Sequence, residues 1–155
     1  MGPTALPAVA DINSDGLDDV LLVALDLCTE LSGRDGSFIN EPLIANQIWE
    51  QKQMSTQWTA YGTQIPVDLN GDGQLEILLS ANWGQWGAWT LDRELIWTFD
   101  PGPDEHSRRH PGMGDVDGDG DLELGIIHNG GFFRCYDAAT GTLKWELEGI
   151  EQTSD

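Results

Sequence analysis

Short apolar runs alternate with polar, glycine-rich segments along the whole chain. The apolar runs 20–25, 77–79 and 124–127 each follow an acidic segment, and an aromatic run at 131–136 comes after the last of them. No stretch of a dozen residues places its apolar positions at the spacing of a helix. Short apolar or aromatic runs bounded by turn-forming residues are typical of β-strands. The pattern therefore predicts an all-β chain with about four short strands in each repeat.

The acidic segments share one nine-residue pattern, Asp-x-Asn/Asp-x-Asp-Gly-x-x-Asp/Glu, which occurs three times. The copies lie at 11–19, 68–76 and 115–123 and are called the first, second and third loops. Alternate residues of such a loop can turn their oxygens toward one centre, and glycine at position six permits the sharp bend. Position seven is expected to contribute its backbone carbonyl. The predicted metal ligands are Asp11, Asn13, Asp15, Leu17, Asp19, Asp68, Asn70, Asp72, Gln74, Glu76, Asp115, Asp117, Asp119, Asp121 and Glu123.

A donor set made of oxygen atoms alone favours Ca²⁺ over zinc or copper, and flexible, highly charged loops favour it over Mg²⁺. We expect about three Ca²⁺ ions, one for each loop. An EF-hand closes its shell with Glu at position twelve, whereas these loops carry Leu22, Leu79 and Ile126 there. The acid at position nine is the available replacement. The alternative, acidic turns that simply face water, stays open at this point.

The number of carboxylates differs between the loops. The third loop has four at positions one, three, five and nine, and each of the other two loops has three. If charge dominates affinity, the third loop is predicted to bind Ca²⁺ most tightly.

A tryptophan near the end of each repeat sets an independent period. Trp49, Trp97 and Trp145 are 48 residues apart, which lies in the range of propeller and solenoid repeats. The first and second loops are farther apart than this period, because 28–41 is predicted to be an inserted excursion. Four short strands on this period predict a propeller blade. The chain is expected to be one propeller segment, 1–155, of three four-stranded antiparallel blades with repeats at approximately 3–53, 58–101 and 108–150.

The formal net charge is −20, from 27 acidic against 7 basic residues. Such an excess argues against binding nucleic acid or anionic lipid through bulk electrostatics and suits a cationic partner. No apolar run is long enough to span a bilayer, so no membrane insertion is expected. Cys28 and Cys135 define no disulfide framework by number or spacing. We expect two unpaired, largely buried thiols, with a bridge between them as the open alternative.

The three loops and their period resemble the FG-GAP and VCBS repeat families, the calcium-bearing blades of integrin-type propellers and of many bacterial secreted proteins. The resemblance covers essentially the whole chain. It implies that the acidic loop joins the first two strands of a blade and binds Ca²⁺. It also implies a ring of about seven or eight blades, so three blades are expected to pack against further blades of a parent protein or to self-associate. The implied role is a non-catalytic scaffold that recognises carbohydrate or protein outside the cytosol, whether extracellular, on the cell surface or in the periplasm.

A second resemblance is confined to 137–145, which is similar to the Asp-x-x-Thr-Gly-x-x-x-Trp repeat of quinoprotein propellers. The corresponding segment 92–97 lacks the Thr-Gly pair. Quinone binding is therefore not expected.

Two further segments carry residues suited to recognition. Trp83 and Trp86 lie on a glycine-rich connection and are candidates for stacking on sugar rings, with filling of gaps between blades as the alternative. The basic cluster just before the third loop suits a carboxylate ligand such as a uronate, or is neutralised by nearby acids. A calcium-dependent rhamnogalacturonan-type polysaccharide lyase, which the propeller resemblance also brings in, is the alternative function. Its candidate residues are His106, Arg108, Arg109 and His110.

Overall fold

The computed structural model describes residues 7–24, 27–41, 43–44, 64–80, 85–92, 94–99 and 111–149, with the backbone alone at 23–24, 27–28 and 43–44. Within these ranges the chain forms twelve strands and no helix, so the predicted all-β class is confirmed. The described residues contain no helix that is long and apolar enough to cross a membrane. The strands are β1 (Ala8–Ala10), β2 (Asp19–Ala24), β3 (Leu27–Leu31), β4 (Leu43–Ile44), β5 (Gln64–Val67), β6 (Glu76–Ser80), β7 (Trp86–Thr90), β8 (Leu95–Phe99), β9 (Gly112–Gly114), β10 (Glu123–His128), β11 (Phe132–Asp137) and β12 (Leu143–Glu148).

The strands form three separate four-stranded antiparallel sheets. Each sheet takes four consecutive strands in order, β1 to β4, β5 to β8 and β9 to β12, and we call them blades one, two and three. Each acidic loop connects the first two strands of its blade. Three meandering four-stranded sheets are the architecture of propeller blades, as predicted.

Blade one differs from the expectation in two places. The inserted excursion was expected to begin at Cys28, but β3 continues to Leu31 and pairs with β2, so the excursion starts after that strand. The excursion folds back on itself, with Leu31 bridging to Phe38. Trp49, the tryptophan of the first repeat, lies outside the described residues.

The cores of the protein lie between blades. All five residues of β6 are buried, because blade two has a neighbour on each face. Ile77 and Leu79 join Leu21 of blade one in one cluster. Leu78, which points to the opposite face, joins Leu124 of blade three in another. The period of two along a strand thus divides one apolar run between two interfaces.

The interface between blades two and three closes around Trp97. The ring of Trp97 is 8% exposed, and its Nε1 donates a hydrogen bond to the backbone carbonyl of Ala138 at 3.0 Å. Gly141 lies so close that a Cβ there would be 2.6 Å from the indole Cδ2 atom. The hairpin 137–142 of blade three therefore forms the slot that receives the tryptophan of blade two.

The opposite side of blade three, which we call its outer face, comprises Ile127, Phe133, Trp145 and Leu147, with Phe133 and Trp145 in ring contact at 5.4 Å. Trp145 occupies the position that Trp97 has in blade two, yet it is 46% exposed. Residues at position two of the loops show the same contrast. Ile12 and Leu69 are each 4% exposed because they pack at an interface between blades, whereas Val116 is 62% exposed.

Candidate metal centres

The three loops share one hydrogen-bond frame. In every loop the acid at position one accepts from the amide of position six, position three accepts from five, and position five accepts from seven. These contacts curl the loop so that alternate side chains turn inward. The first of them joins Asp11 to Gly16 at 2.9 Å, Asp68 to Gly73 at 2.8 Å and Asp115 to Gly120 at 3.2 Å.

The glycine at position six is required by the backbone. The φ angles at position six are 85°, 86° and 97°, at Gly16, Gly73 and Gly120. Residues that carry a Cβ adopt this backbone region only with steric strain. Position four also has positive φ, at Gly71 and at its equivalents. This bend lets position one contact position six, so the sequence pattern and the geometry agree.

The acid at position nine is the buried member of each loop. Each of them is the first residue of the strand that leaves the loop, and each is almost fully buried: Asp19, Glu76 and Glu123. Each carboxylate accepts a hydrogen bond from the amide of position two, at 3.1, 2.7 and 2.8 Å respectively. Burial raises the pKa of Glu76, which the amide of Leu69 partly offsets. These acids anchor the two ends of the loop to each other.

The third loop brings its carboxylates closest together. One oxygen each of Asp115, Asp117 and Glu123 lies within 4.8 Å of the others. The donors are hard oxygen atoms, which suit a Ca²⁺ ion. Of the predicted ligands in this loop, these three converge. The backbone carbonyls of Leu17, Gln74 and Asp121 stay predictions.

A cationic side chain already contacts two of these three carboxylates, those of Asp117 and Glu123. The ammonium of Lys144, on β12, is 2.7 Å from Oδ2 of Asp117, 2.8 Å from Oε1 of Glu123 and 3.4 Å from Oδ2 of Asp119. The hydrogen bond from Lys144 lowers the pKa of Asp117, and the same contacts raise the pKa of Lys144. The third loop therefore holds a positive charge among the oxygens that a metal would use.

The first loop has a different neighbour. The excursion of blade one places the amide of Gly33 3.0 Å from Oδ1 of Asp19, while the other oxygen of Asp19 accepts from Ile12 and Asn13. Arg34 reaches Asp15 at 3.5 Å from an exposed position. An exposed pair at this distance contributes little.

The second loop has no such counter-charge among the described residues. Its position-five acid, Asp72, accepts hydrogen bonds from the amide of Gln74 and from the side chain of Asn70. None of the described Lys or Arg side chains forms an ion pair with this loop. The three loops thus share a frame and differ in the charge placed beside it.

The remaining predicted site residues do not form a described site. Trp86 is 1% exposed and packs between blades two and three, which agrees with the alternative of gap filling and leaves no ring face for a sugar, so the stacking role is wrong for this residue. Cys135 is buried and free, as expected, whereas the side chain of Cys28 lies outside the described part. Trp83, His106, Arg108, Arg109 and His110 also lie outside it, so the lyase hypothesis stays a prediction.

Sequence reasoning did not single out Lys144 or Gly33 as neighbours of the loops. Lys144 carries a signal in hindsight, because the residue before the repeat tryptophan is Ile48 and Ile96 in the other copies and is charged only here. Gly33 carries none, because nothing in the pattern indicates that the excursion folds back onto the first loop.

No protein-family model and no curated protein matches this chain. Solved structures do match. The biofilm matrix protein Bap1 of V. cholerae is similar with a TM-score of 0.58 and 19% identity, over 96% of this chain and 21% of Bap1. BamB from Moraxella catarrhalis has a TM-score of 0.56 and 13% identity, over 97% of this chain and 40% of BamB. A europium-containing methanol dehydrogenase has a TM-score of 0.56 and 11% identity, over 94% of this chain and 25% of the dehydrogenase.

The chain therefore spans from about a fifth to two fifths of the length of these structures. At such identities the likeness concerns the fold, and the neighbours are propeller proteins. This chain is a segment with the fold of β-propeller blades.

Proposed function

We propose that this chain is a calcium-binding propeller segment that serves as a non-catalytic scaffold. The observation that carries the proposal is the hydrogen-bond frame common to the three loops, in which side-chain oxygens of positions one, three and five accept from amides of the same loop. The position of Lys144 supports it, because its ammonium is held by Asp117 and Glu123, two of the three acids that converge in this loop. The donor set is that of a hard divalent ion.

Bound Ca²⁺ would stabilise the blades in two ways. It would offset the repulsion between the inward carboxylates, which is strong in a chain of charge −20. It would also join the beginning of each loop to the strand that leaves it, since the buried position-nine acid belongs to that strand. Metal binding would thereby add to the folding free energy.

The place of action follows from the expected affinity. Loops of this kind in extracellular modules bind Ca²⁺ with dissociation constants of about 10⁻⁴–10⁻³ M, which only compartments outside the cytosol saturate. We therefore propose an extracellular, cell-surface or periplasmic scaffold that presents its loops to carbohydrate or protein. The FG-GAP and VCBS resemblance supports the same role.

We propose a further blade of the same four-stranded type as the occupant of the outer face of blade three. The interface between blades two and three supplies the argument. There, Trp97 is received by the hairpin 137–142, and Leu69 is covered. Trp145 and Val116, at the equivalent positions of blade three, are exposed. A neighbouring blade with a similar hairpin would bury both side chains in the same manner.

Calcium binding is tested by calorimetric titration and by thermal unfolding with Ca²⁺ or with a chelator. Saturation at 100 times the dissociation constant is expected to add about 2.7 kcal/mol for each site to the free energy of unfolding. Asp72→Ala should remove binding at the second loop. Asp92→Ala is the matched control, because it removes the same charge from an exposed turn outside the loops. A melting temperature that is equal in Ca²⁺ and chelator would refute the proposal.

The blade interface is tested by oxidising tryptophans with N-bromosuccinimide and mapping the products by mass spectrometry. In this chain alone Trp145 should react before Trp97, which is buried. In a longer protein that contains the segment, Trp145 should be protected as Trp97 is. Equal reactivity of Trp145 in both settings would exclude a blade on this face, and protection that depends on the concentration of this chain would indicate a second copy instead.

A further inference from the structure

We infer that Lys144 acts as a built-in cation of the third loop, competes with Ca²⁺ there and makes this loop the weaker site despite its larger number of carboxylates. The inference rests on the proposed calcium function. It reverses the affinity order expected from counting charges, because that count leaves out a lysine on a strand that is distant in sequence.

The argument begins with the shared oxygens. Lys144 is 2.7 Å from Asp117 and 2.8 Å from Glu123, and these two carboxylates belong to the group that converges within 4.8 Å. Ca²⁺ binds oxygen at about 2.3–2.6 Å and needs six to eight ligands. An ammonium and a divalent ion cannot share these positions, because their charges repel and both draw on the carboxylates of Asp117 and Glu123. Ca²⁺ must displace the lysine to bind.

The strand geometry explains why the lysine reaches the loop. The register between β11 and β12 shifts after Cys135, which pairs with Trp145, while Tyr136 pairs with Leu143. Lys144 is therefore the extra residue of a bulge, and a bulge redirects a side chain. The Lys144 side chain is 26% exposed where it contacts the acids of the loop.

Blade two contains the same bulge without the lysine. Ala88 pairs with Trp97, Trp89 pairs with Leu95, and Ile96 is the extra residue. Ile96 and Lys144 thus occupy equivalent places, each just before the repeat tryptophan. An apolar side chain carries no charge to place among the acids of the second loop. The two loops therefore differ in the tethered charge beside them, in addition to the carboxylate that Asp117 places where the second loop has Asn70.

A functional consequence follows for the protein without metal. The third loop retains a cation among its acids when Ca²⁺ is absent, whereas none of the described Lys or Arg side chains offsets the repulsion between the acids of the second loop. Rising Ca²⁺ concentration fills the second loop first and the third loop only at higher concentration. The segment would respond to calcium in two steps rather than one.

The test is a Ca²⁺ titration of the ¹⁵N-labelled chain, followed by NMR through the amides of Gly73 and Gly120 at position six of the two loops. In the wild-type chain Gly73 should shift at a lower Ca²⁺ concentration than Gly120. Lys144→Met should lower the Ca²⁺ dissociation constant measured at the Gly120 amide by about tenfold or more. The dissociation constant measured at the Gly73 amide should stay unchanged. Ile96→Lys should weaken the response of Gly73 alone.

Arg134→Met is the control, because it removes a positive charge from the same hairpin. Arg134 pairs with Glu146 and not with the third loop, so its replacement should leave the response of Gly120 within about twofold. If Gly73 responds and Gly120 has the same affinity in the wild-type and Lys144→Met chains, the inference is wrong while the calcium function stands. If neither amide responds in any variant up to saturating Ca²⁺, the calcium function and the inference fail together.

Discussion

The indole nitrogen of Trp97 donates a hydrogen bond to the backbone carbonyl of Ala138 across the boundary between two blades, at 3.0 Å. The contact joins residues 41 positions apart and satisfies the polar atom of a buried ring. Gly141 completes the slot by leaving room where any Cβ would collide with the ring. This pair therefore ties the last strand of blade two to the hairpin of blade three.

Trp97→Ala is predicted to destabilise the chain by about 3–5 kcal/mol, because it removes a buried aromatic side chain and leaves the Ala138 carbonyl without its donor. The matched change Trp145→Ala, at the equivalent but exposed position, should cost less than about 1 kcal/mol. Urea unfolding followed by circular dichroism measures both. Equal costs would show that the two tryptophans are packed alike.

Ser14→Gly is predicted to raise the free energy of unfolding by about 0.5–1 kcal/mol. Ser14 sits at position four of the first loop with φ of 58°, where the other loops have Gly71 and Gly118 at 75° and 82°. The reverse change, Gly71→Ser, should lower stability by about 1 kcal/mol. A Cβ at Gly71 would have no neighbour within 4 Å, so no steric clash adds to the backbone strain. Both variants are compared by urea unfolding in chelator.

Lys144→Met is predicted to lower the melting temperature in chelator, with a difference from wild type that depends on pH. The pKa of Asp117 is held below its ordinary 3.8, so the ion pair stabilises above that pH and is lost as pH falls further. The pKa of Lys144 is raised above its ordinary 10.5, so the contribution persists below that pH and is lost on the alkaline side. The difference should be flat from pH 5 to 9 and shrink below about pH 4. A difference independent of pH would indicate lost packing instead.

Cys135 is predicted to resist alkylation in the folded chain. The thiol is buried, and burial followed by the nearby charge of Glu123 raises its pKa above the ordinary 9.0. The nucleophilic thiolate is therefore scarce and poorly accessible. Iodoacetamide at pH 8 should modify Cys135 at least about tenfold more slowly in buffer than in urea. Peptide mapping by mass spectrometry separates this thiol from Cys28, and rapid labelling in buffer would contradict the burial.

Much of the candidate site could be predicted because it is local in sequence. The bend at Gly73 and the contact of Asp68 with its amide involve residues within a single loop, and such contacts depend on backbone conformation alone. The position-nine acids were also predictable, although their burial was not. Their burial depends on neighbouring strands, and those strands do not lie at a fixed distance from the acids along the sequence.

The charge beside each loop could not be predicted in this way. Lys144 follows Asp117 by 27 residues and reaches it through a strand bulge. Arg34 and Gly33 reach the first loop from an excursion that has no counterpart in the other repeats. Trp86 shows the same limit, since the sequence left both sugar stacking and gap filling open, and only the packing of blades two and three shows that it is buried.

By itself, the sequence determined the all-β class, the three repeated loops and the bend within each of them, because these follow from short-range periodicity and the backbone freedom of glycine. Only the tertiary structure decided which apolar residues face another blade and which carboxylates acquire a counter-charge. Both depend on contacts between strands far apart in the chain, where a one-residue bulge or the presence of a neighbouring blade changes what a side chain meets. Trp97 and Trp145 have the same place in the repeat, and the blade beside one of them makes them different.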